Sequence, residues 1–483
     1  MPSLDLDLIN KIKQSDIYEN LKHAKNYFSA DIATKAIGFI SIPIFTRLLT
    51  PEDYGIVSVY NAYIGIMVVI LSLNSFSAVN RYCYEKKEDF NEFLGTSFIF
   101  IGLIFSILTF IFLLFYDKLS LLINLPKSLL IYLILMSLFN IVYSIYLQIL
   151  YPQKKSKLIA RISIIYGYSG FVLAAILTFI LQENRYLGKI WASLVIGFIF
   201  FIYFLLKLMK DIKFSLNLNH IRYIIFYSFP LIPYVLSEFI LGQFDRIMIN
   251  SITSTKSAGL YSLGYSIGML LVIVISATQA SMTPDFFKFL DNREFERLNS
   301  LIKKIFSIII LVALGIILFG QELLLLIADP RYYSSVSVIP IITIGYIFYG
   351  IFVFYGMYIG YTKRTLYLSL TVLAAGIINI ILNYILIPKY DYLAAAYTTM
   401  ISYFIMFLFT WLVVKYVLKQ IVPSLKIFLK PAFVMFVIVL LVFLISFIDP
   451  NFILMFFIKL SFFLIFSYYL FHKEIKIIYS GIV

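Results

Sequence analysis

The chemistry available to this sequence rests on a few charged and amide side chains set within long apolar runs. A charged residue at the centre of a bilayer helix costs at least about 2.5–3.5 kcal/mol, so it usually faces a cavity, a partner or the interface. Glu238 lies deep in one run, five residues after Pro233. A carboxyl there can take up a proton or a sodium ion when its surroundings close and release it when water enters. The competing role is a hydrogen bond to a neighbouring helix. Asp31 and Asp245 are the other coupling candidates. Asp31 precedes Lys35 by four residues, on one helical face, where the two can pair or line a cavity. Arg47 and Arg246 stand near the ends of runs. Guanidinium groups there either snorkel to head groups or bind phosphate and carboxylate by paired hydrogen bonds. Arg81, Lys363 and Arg364 occupy cytoplasmic helix ends, where topology alone accounts for them and binding a phosphate is the competing role. Asn379 and Asn383, four apart, can meet sugar hydroxyls or join helices. Lys459 sits within the last run with no evident partner.

Other chemistries are missing. No Gly-x-x-x-x-Gly-Lys-Ser/Thr occurs, so no P-loop hydrolyses nucleotide. The three histidines, His23, His220 and His472, are far apart and make no metal motif, and Cys83 is the only cysteine. Neither a metal nor a cofactor is expected. Asp5-Leu6-Asp7 mimics a glycosyltransferase metal motif but has no domain around it.

These residues must be positioned by helices in lipid. Of 483 residues, 62% are hydrophobic and 13% charged, against about half and a quarter in soluble domains. The apolar runs are continuous rather than alternating, which favours helices over a barrel. The spacing predicts an all-α polytopic membrane protein with fourteen spans. They lie near 28–49, 54–80, 93–116, 128–150, 159–181, 189–209, 223–248, 257–280, 301–327, 336–359, 365–387, 392–414, 427–448 and 452–471. With the N-terminus inside, 28 of the 39 lysines and arginines fall on cytoplasmic segments. That asymmetry follows the positive-inside rule and puts both termini in the cytoplasm. The net charge of +14 then reflects anionic lipid rather than nucleic acid. No connector has room for a soluble catalytic domain.

A weak repeat relates the halves. Thr46-Arg47 before Tyr54-Gly55-Ile56-Val57-Ser58 matches Asp245-Arg246 before Ala258-Gly259-Leu260-Tyr261-Ser262. Six spans separate the copies, so both have the same orientation, as in transporters built of two parallel repeats. The expected organisation is a cytoplasmic or interfacial segment 1–27, an N-lobe 28–209 (spans 1–6), a C-lobe 223–414 (spans 7–12), two extra spans in 427–471, and a cytoplasmic tail 472–483. Pro43, Pro230 and Pro233 would bend spans 1 and 7.

Several segments together resemble the polysaccharide flippase family of the multidrug/oligosaccharidyl-lipid/polysaccharide exporter superfamily. They are Ser41-Ile42-Pro43-Ile44-Phe45-Thr46-Arg47-Leu48-Leu49-Thr50-Pro51-Glu52-Asp53-Tyr54-Gly55, Asn80-Arg81-Tyr82, Phe229-Pro230-Leu231-Ile232-Pro233, and Asn379 to Tyr390 followed by Ala394-Ala395-Ala396. The chain departs from the family pattern at Asp391 and Ala394, where glycines usually stand. The resemblance covers spans 1–12. It implies a secondary transporter, not an enzyme, that flips undecaprenyl-pyrophosphate-linked oligosaccharide units across a bacterial inner membrane for O-antigen or capsule. With no nucleotide site, a proton or sodium gradient or removal of the product must drive the cycle; the expected partners are the lipid-linked glycan, membrane lipids and other polysaccharide-assembly membrane proteins. A cation-coupled multidrug exporter of the same superfamily is one rival. A membrane glycan polymerase or transferase is another, though such enzymes usually carry a long outer loop and this chain has none.

Overall fold

The computed structural model describes residues 33–34, 36–85, 88–448 and 451–480. Asp31, Lys35 and the segment 1–27 lie outside them. Every regular element among the described residues is helical. They are α1 (Ala36–Leu48), α2 (Pro51–Ser72), α3 (Ser75–Tyr84), α4 (Phe90–Leu114), α5 (Tyr116–Ile123), α6 (Ser128–Leu150), α7 (Ser156–Ile180), α8 (Tyr186–Leu208) and α9 (Leu218–Ser228). There follow α10 (Ile232–Phe239), α11 (Asp245–Ile252), α12 (Thr255–Gly268), α13 (Leu271–Asp291), α14 (Phe295–Ile327), α15 (Val338–Tyr361), α16 (Thr365–Leu412), α17 (Lys426–Ile448) and α18 (Phe452–Ser480).

Twelve runs of helix among the described residues are long and apolar enough to cross a membrane. One, Thr365–Val417, has 53 residues, more than twice the roughly 20 that a span needs. It breaks at Asp391, whose backbone is non-helical (φ 53°, ψ −150°), and therefore serves as two spans. The shorter apolar helix α1 adds another. The protein is thus an all-α polytopic membrane protein, and the described helices accommodate a span count near the expected fourteen.

The break has a measurable consequence. A residue with a Cβ in that corner of backbone space stores of order 1–3 kcal/mol, and glycine occupies it freely. Asp391→Gly is therefore expected to stabilise the chain by about 1–3 kcal/mol, read as a higher unfolding midpoint of the purified protein. An unchanged or lower midpoint would show that the Asp391 side chain compensates for the strain.

The chain forms two compact units, residues 1–259 and 260–483. In the first, the Thr-Pro-Glu-Asp-Tyr-Gly turn starts α2 for stated reasons. Thr50 caps the helix: its hydroxyl accepts the Asp53 N–H at 3.1 Å, and the Asp53 carboxylate accepts the Thr50 N–H at 3.1 Å. Pro51, at the first helical position, gives up no needed donor. Gly55 permits contact that no other residue would. A Cβ on it would lie 1.9 Å from the Thr255 carbonyl oxygen, and a Cβ on Gly259 would lie 2.0 Å from that of Pro51. The two glycines of the sequence repeat thus pack α2 and the start of α12 against each other reciprocally.

Elsewhere in this unit, Asp89 ties α3, α4 and α9. It accepts hydrogen bonds from the Tyr82 hydroxyl at 2.8 Å and from His220 Nε2 at 2.9 Å. The imidazole beside it holds the Asp89 carboxyl below the usual carboxylate range. The segment predicted as span 7 is the most irregular. A 3-10 turn at Phe229–Leu231 precedes α10, and a π-helical turn at Ile240–Phe244 follows it. Pro230 removes a donor from the 3-10 turn, and Pro233 removes one from the first turn of α10.

In the second unit, α15 is buried along most of its length, and its Tyr346 shares a 2.7 Å hydrogen bond with Tyr265 of α12. The two extra spans dock here. Lys459 of α18, partnerless in the sequence, donates to Glu322 of α14 at 2.6 Å, with both side chains nearly buried.

Candidate functional site

A cavity of about 240 Å³ opens in the first unit between α1, α2, α7 and α8. Its walls carry Ser41, Tyr60, Asn61, Lys189 and Ser193 among aromatic rings of Phe45, Tyr166 and Phe171. The helices that frame it approach closely for a local reason. A Cβ on Gly188 would lie 2.5 Å from the Thr178 backbone nitrogen, so glycine there lets α8 close on α7. Arg185 secures the same end, donating to the Leu48 carbonyl at 3.1 Å and the Leu181 carbonyl at 3.2 Å.

Lys189, the residue after that glycine, is the distinctive group. Its Nζ lies 4.0 Å from the centroid of the Phe45 ring and 5.4 Å from that of Tyr54. No carboxylate pairs with it among the described residues. Ring faces hold an ammonium weakly, by about 0.5–2 kcal/mol, which does not replace the hydration it gives up. An anion entering the cavity would. Ser41 and Ser193 spend their protons on the Gly38 and Ile190 carbonyls at 2.7 Å each, which leaves their oxygens as acceptors. Asn61 is exposed to the cavity and offers both donors and an acceptor. The volume admits one charged group or one sugar residue. It falls below the roughly 300–1,000 Å³ of sites that engulf larger ligands.

Sequence reasoning placed Lys189 at the first residue of a span, where a lysine ordinarily snorkels. Its signal was weak: the adjacent Gly188 and a serine four residues on, facing the same way. The expected site residues distribute differently. Arg47 is exposed and donates to the Pro43 carbonyl at 2.6 Å, while Arg246 is 5% exposed and donates to the Gly242 carbonyl at 2.8 Å. The repeat-related arginines therefore fold back in the same way, each onto the fourth residue before it. Asp245 is fully buried. Arg81 is exposed and pairs with Glu85 at 3.1 Å. Lys363 and Arg364 are exposed in the turn between α15 and α16.

Asn379 and Asn383 do come together, in the second unit. Both are fully buried. The Asn383 amide donates to the Asn379 carbonyl oxygen at 3.1 Å, and the Thr398 hydroxyl donates to Asn383. This polar cluster bridges the two halves of α16. Glu238 was expected within the protein's apolar interior. The structure corrects this: Glu238 is exposed on its unit and accepts the Tyr234 hydroxyl at 2.6 Å. Its helix, α10, is a short segment set between the 3-10 and π turns. Among the described residues no cluster of histidine, cysteine, aspartate and glutamate could hold a metal ion.

Comparisons place this architecture. The structure of a lipid II flippase, MurJ, in an inward closed conformation superposes with a TM-score of 0.72 at 18% identity, over 93% of this chain and 99% of that one. An inward-facing multidrug resistance MATE family transporter of the MOP superfamily superposes with a TM-score of 0.61 at 14% identity, over 80% and 96%. The fold is therefore that of these transporters. In sequence, Lsg locus protein 1 of Haemophilus influenzae is 25% identical over 346 residues, which is 67% of this chain and 83% of that protein. The profile of a family described as polysaccharide biosynthesis protein matches residues 21–290. That match spans more than half of the chain, and the chain belongs to the polysaccharide biosynthesis protein family.

Proposed function

We propose that this protein is a secondary transporter that carries an anionic, lipid-linked oligosaccharide from the cytoplasmic to the outer leaflet of a bacterial inner membrane by alternating access. The observation that carries this reading is Lys189, an ammonium without a carboxylate in an open, sugar-compatible cavity. The family supports a glycan pathway. The resemblance in fold to a flippase of lipid II, itself a glycan on a lipid, supports translocation rather than synthesis. The same lysine weighs against the multidrug reading, because a cavity for cationic drugs needs acidic walls and this one has none among the described residues. Undecaprenyl pyrophosphate is the proposed carrier, and O-antigen or capsule the proposed product. Both termini are proposed to be cytoplasmic. Lys35, Arg47, Arg81, Arg246, Lys363 and Arg364 remain proposed contacts for phosphate along the route, and Asn379 and Asn383 for sugar. Removing the protein from its cell tests the pathway. Lipid-linked oligosaccharide should accumulate in the cytoplasmic leaflet while surface glycan falls; unchanged surface glycan with no accumulation would refute it.

For coupling, we propose Glu238, with Asp31 and Asp245 as alternatives. A π turn often marks a functional position, and this one begins two residues after Glu238. One charge moved through the membrane field is worth about 2.3 kcal/mol per 100 mV, enough to bias a two-state cycle more than tenfold. Glu238→Gln keeps the Tyr234 hydrogen bond but cannot titrate. It is expected to slow net transport and to flatten its dependence on pH or sodium. Wild-type rates at every pH and sodium level would exclude Glu238.

A further inference from the structure

Four lysines converge on a second cavity that the transport reading does not use. It measures about 600 Å³ and lies in the second unit, where the ends of α14, α17 and α18 meet. Lys303 and Lys304 come from α14, Lys426 and Lys430 from α17, and Tyr469 and His472 from the last membrane turn of α18. No acidic residue lines it among the described residues. None of the four lysines has an ion-pair partner among the described residues.

The positive-inside rule explains why lysines stand at these helix ends, all of them on the predicted cytoplasmic face. It does not explain why two helices turn them toward one hollow. Lys426 and Lys430 are four residues apart, on one helical face, where like charges destabilise a helix. Helix stability therefore does not account for the pair, and an occupant of opposite charge would. Lysine binds phosphate as a point charge from several directions, and four of them suit a phosphate-bearing group. The surroundings are lipid-facing. Leu429 and Phe433, flanking Lys430 on α17, are 62% and 68% exposed, as a surface against acyl chains would be. Tyr469 and His472 sit at the rim, a position typical of membrane-interface side chains.

We infer that this cavity binds the headgroup of an acidic phospholipid of the cytoplasmic leaflet, with the acyl chains running along the exposed face of α17. Basic pockets between spanning helices on that side take such headgroups. The site is separate from the Lys189 cavity and does not depend on the transport reading. The bound lipid would fasten the two extra spans, α17 and α18, to α14 at their cytoplasmic ends, as the Glu322–Lys459 pair does further along.

Purified full-length protein, delipidated in neutral detergent, is titrated with phosphatidylglycerol, with phosphatidylcholine and with sodium pyrophosphate. Retained lipid is read by native mass spectrometry. Phosphatidylglycerol should bind in preference to phosphatidylcholine. Lys303→Gln combined with Lys430→Gln should weaken it roughly tenfold or more, since each lysine near a charged lipid surface matters by about a decade or less. Lys426→Gln alone is a milder variant should the double one fold poorly, and it should weaken the same lipid severalfold. Lys430→Arg should retain it. Equal binding of the two lipids, or phosphatidylglycerol binding unchanged in both glutamine variants, would overturn the inference. Pyrophosphate binding at this cavity in place of lipid would overturn it as well, by assigning the site to a soluble phosphate.

Discussion

Alanine at Gly259 is expected to destabilise the protein strongly and lower its abundance in the membrane. The new methyl would sit 2.0 Å from the Pro51 carbonyl oxygen and 3.0 Å from the Gly55 nitrogen. Both are backbone atoms held by the first turn of α2, so neither can rotate away as a side-chain tip would. Overpacking a close contact costs typically about 1–3 kcal/mol and sometimes more, against a total stability of about 5–15 kcal/mol. Backbone on both sides puts this contact at the upper end. Gly55→Ala, whose Cβ meets the Thr255 carbonyl at 1.9 Å, should behave alike. Gly102→Ala is the control: nothing lies within 4 Å of its Cβ, and helix propensity favours the change slightly. Membrane abundance and a monodisperse gel-filtration peak report the outcome. Gly259→Ala and Gly102→Ala proteins of equal abundance and dispersity would mean that the contact between α2 and α12 is looser than described.

Lys189→Ala should show two opposite effects at once. Transport should fall by about 30-fold or more, in line with the roughly 2–5 kcal/mol lost when one partner of a desolvated charge contact is truncated. Stability should rise, because a half-buried ammonium with only ring faces for company is itself unfavourable. A merely structural lysine would lose both together. Lys189→Arg keeps the charge but spreads it over a planar fork and should restore part of the transport. A less stable Lys189→Ala protein with wild-type transport would remove Lys189 from the site.

Much of the fold is legible because hydropathy acts locally. Each apolar run must become a helix in lipid wherever the rest of the chain lies, which is why the long apolar helices of the structure fall on the runs read from the sequence. The run boundaries are less legible. Helix α14 begins at Phe295 rather than near 301, since polar residues continue a helix beyond the lipid. The Thr50–Gly55 turn was visible as a motif, and each of its residues has a local cause in capping or contact. The reciprocal meeting of Gly55 with the backbone before Gly259 was visible only as a repeat; nothing in a sequence says that two copies touch. Partners distant along the chain were hidden altogether. Glu322 and Lys459 stand 137 residues apart, and neither alone indicates the other. Lys189 was not singled out for a related reason: a lysine entering a span has an ordinary explanation, and its lack of a carboxylate partner among the described residues is a property of four packed helices. Asn379 and Asn383 were correctly set on one face, but Thr398, which joins them, lies beyond the break at Asp391.

Leaflet exchange of the lipid itself is the most direct measure of whether this chain moves a glycan. Full-length protein is reconstituted into vesicles carrying a fluorescent undecaprenyl-pyrophosphate oligosaccharide in both leaflets, and a membrane-impermeant quencher is added outside. With wild-type protein and an imposed ion gradient, the quenched fraction should climb beyond the outer-leaflet share, while Lys189→Ala vesicles should remain near the protein-free level. Wild-type vesicles whose quenching never exceeds that of protein-free vesicles, with the protein folded and the gradient intact, would contradict the assignment.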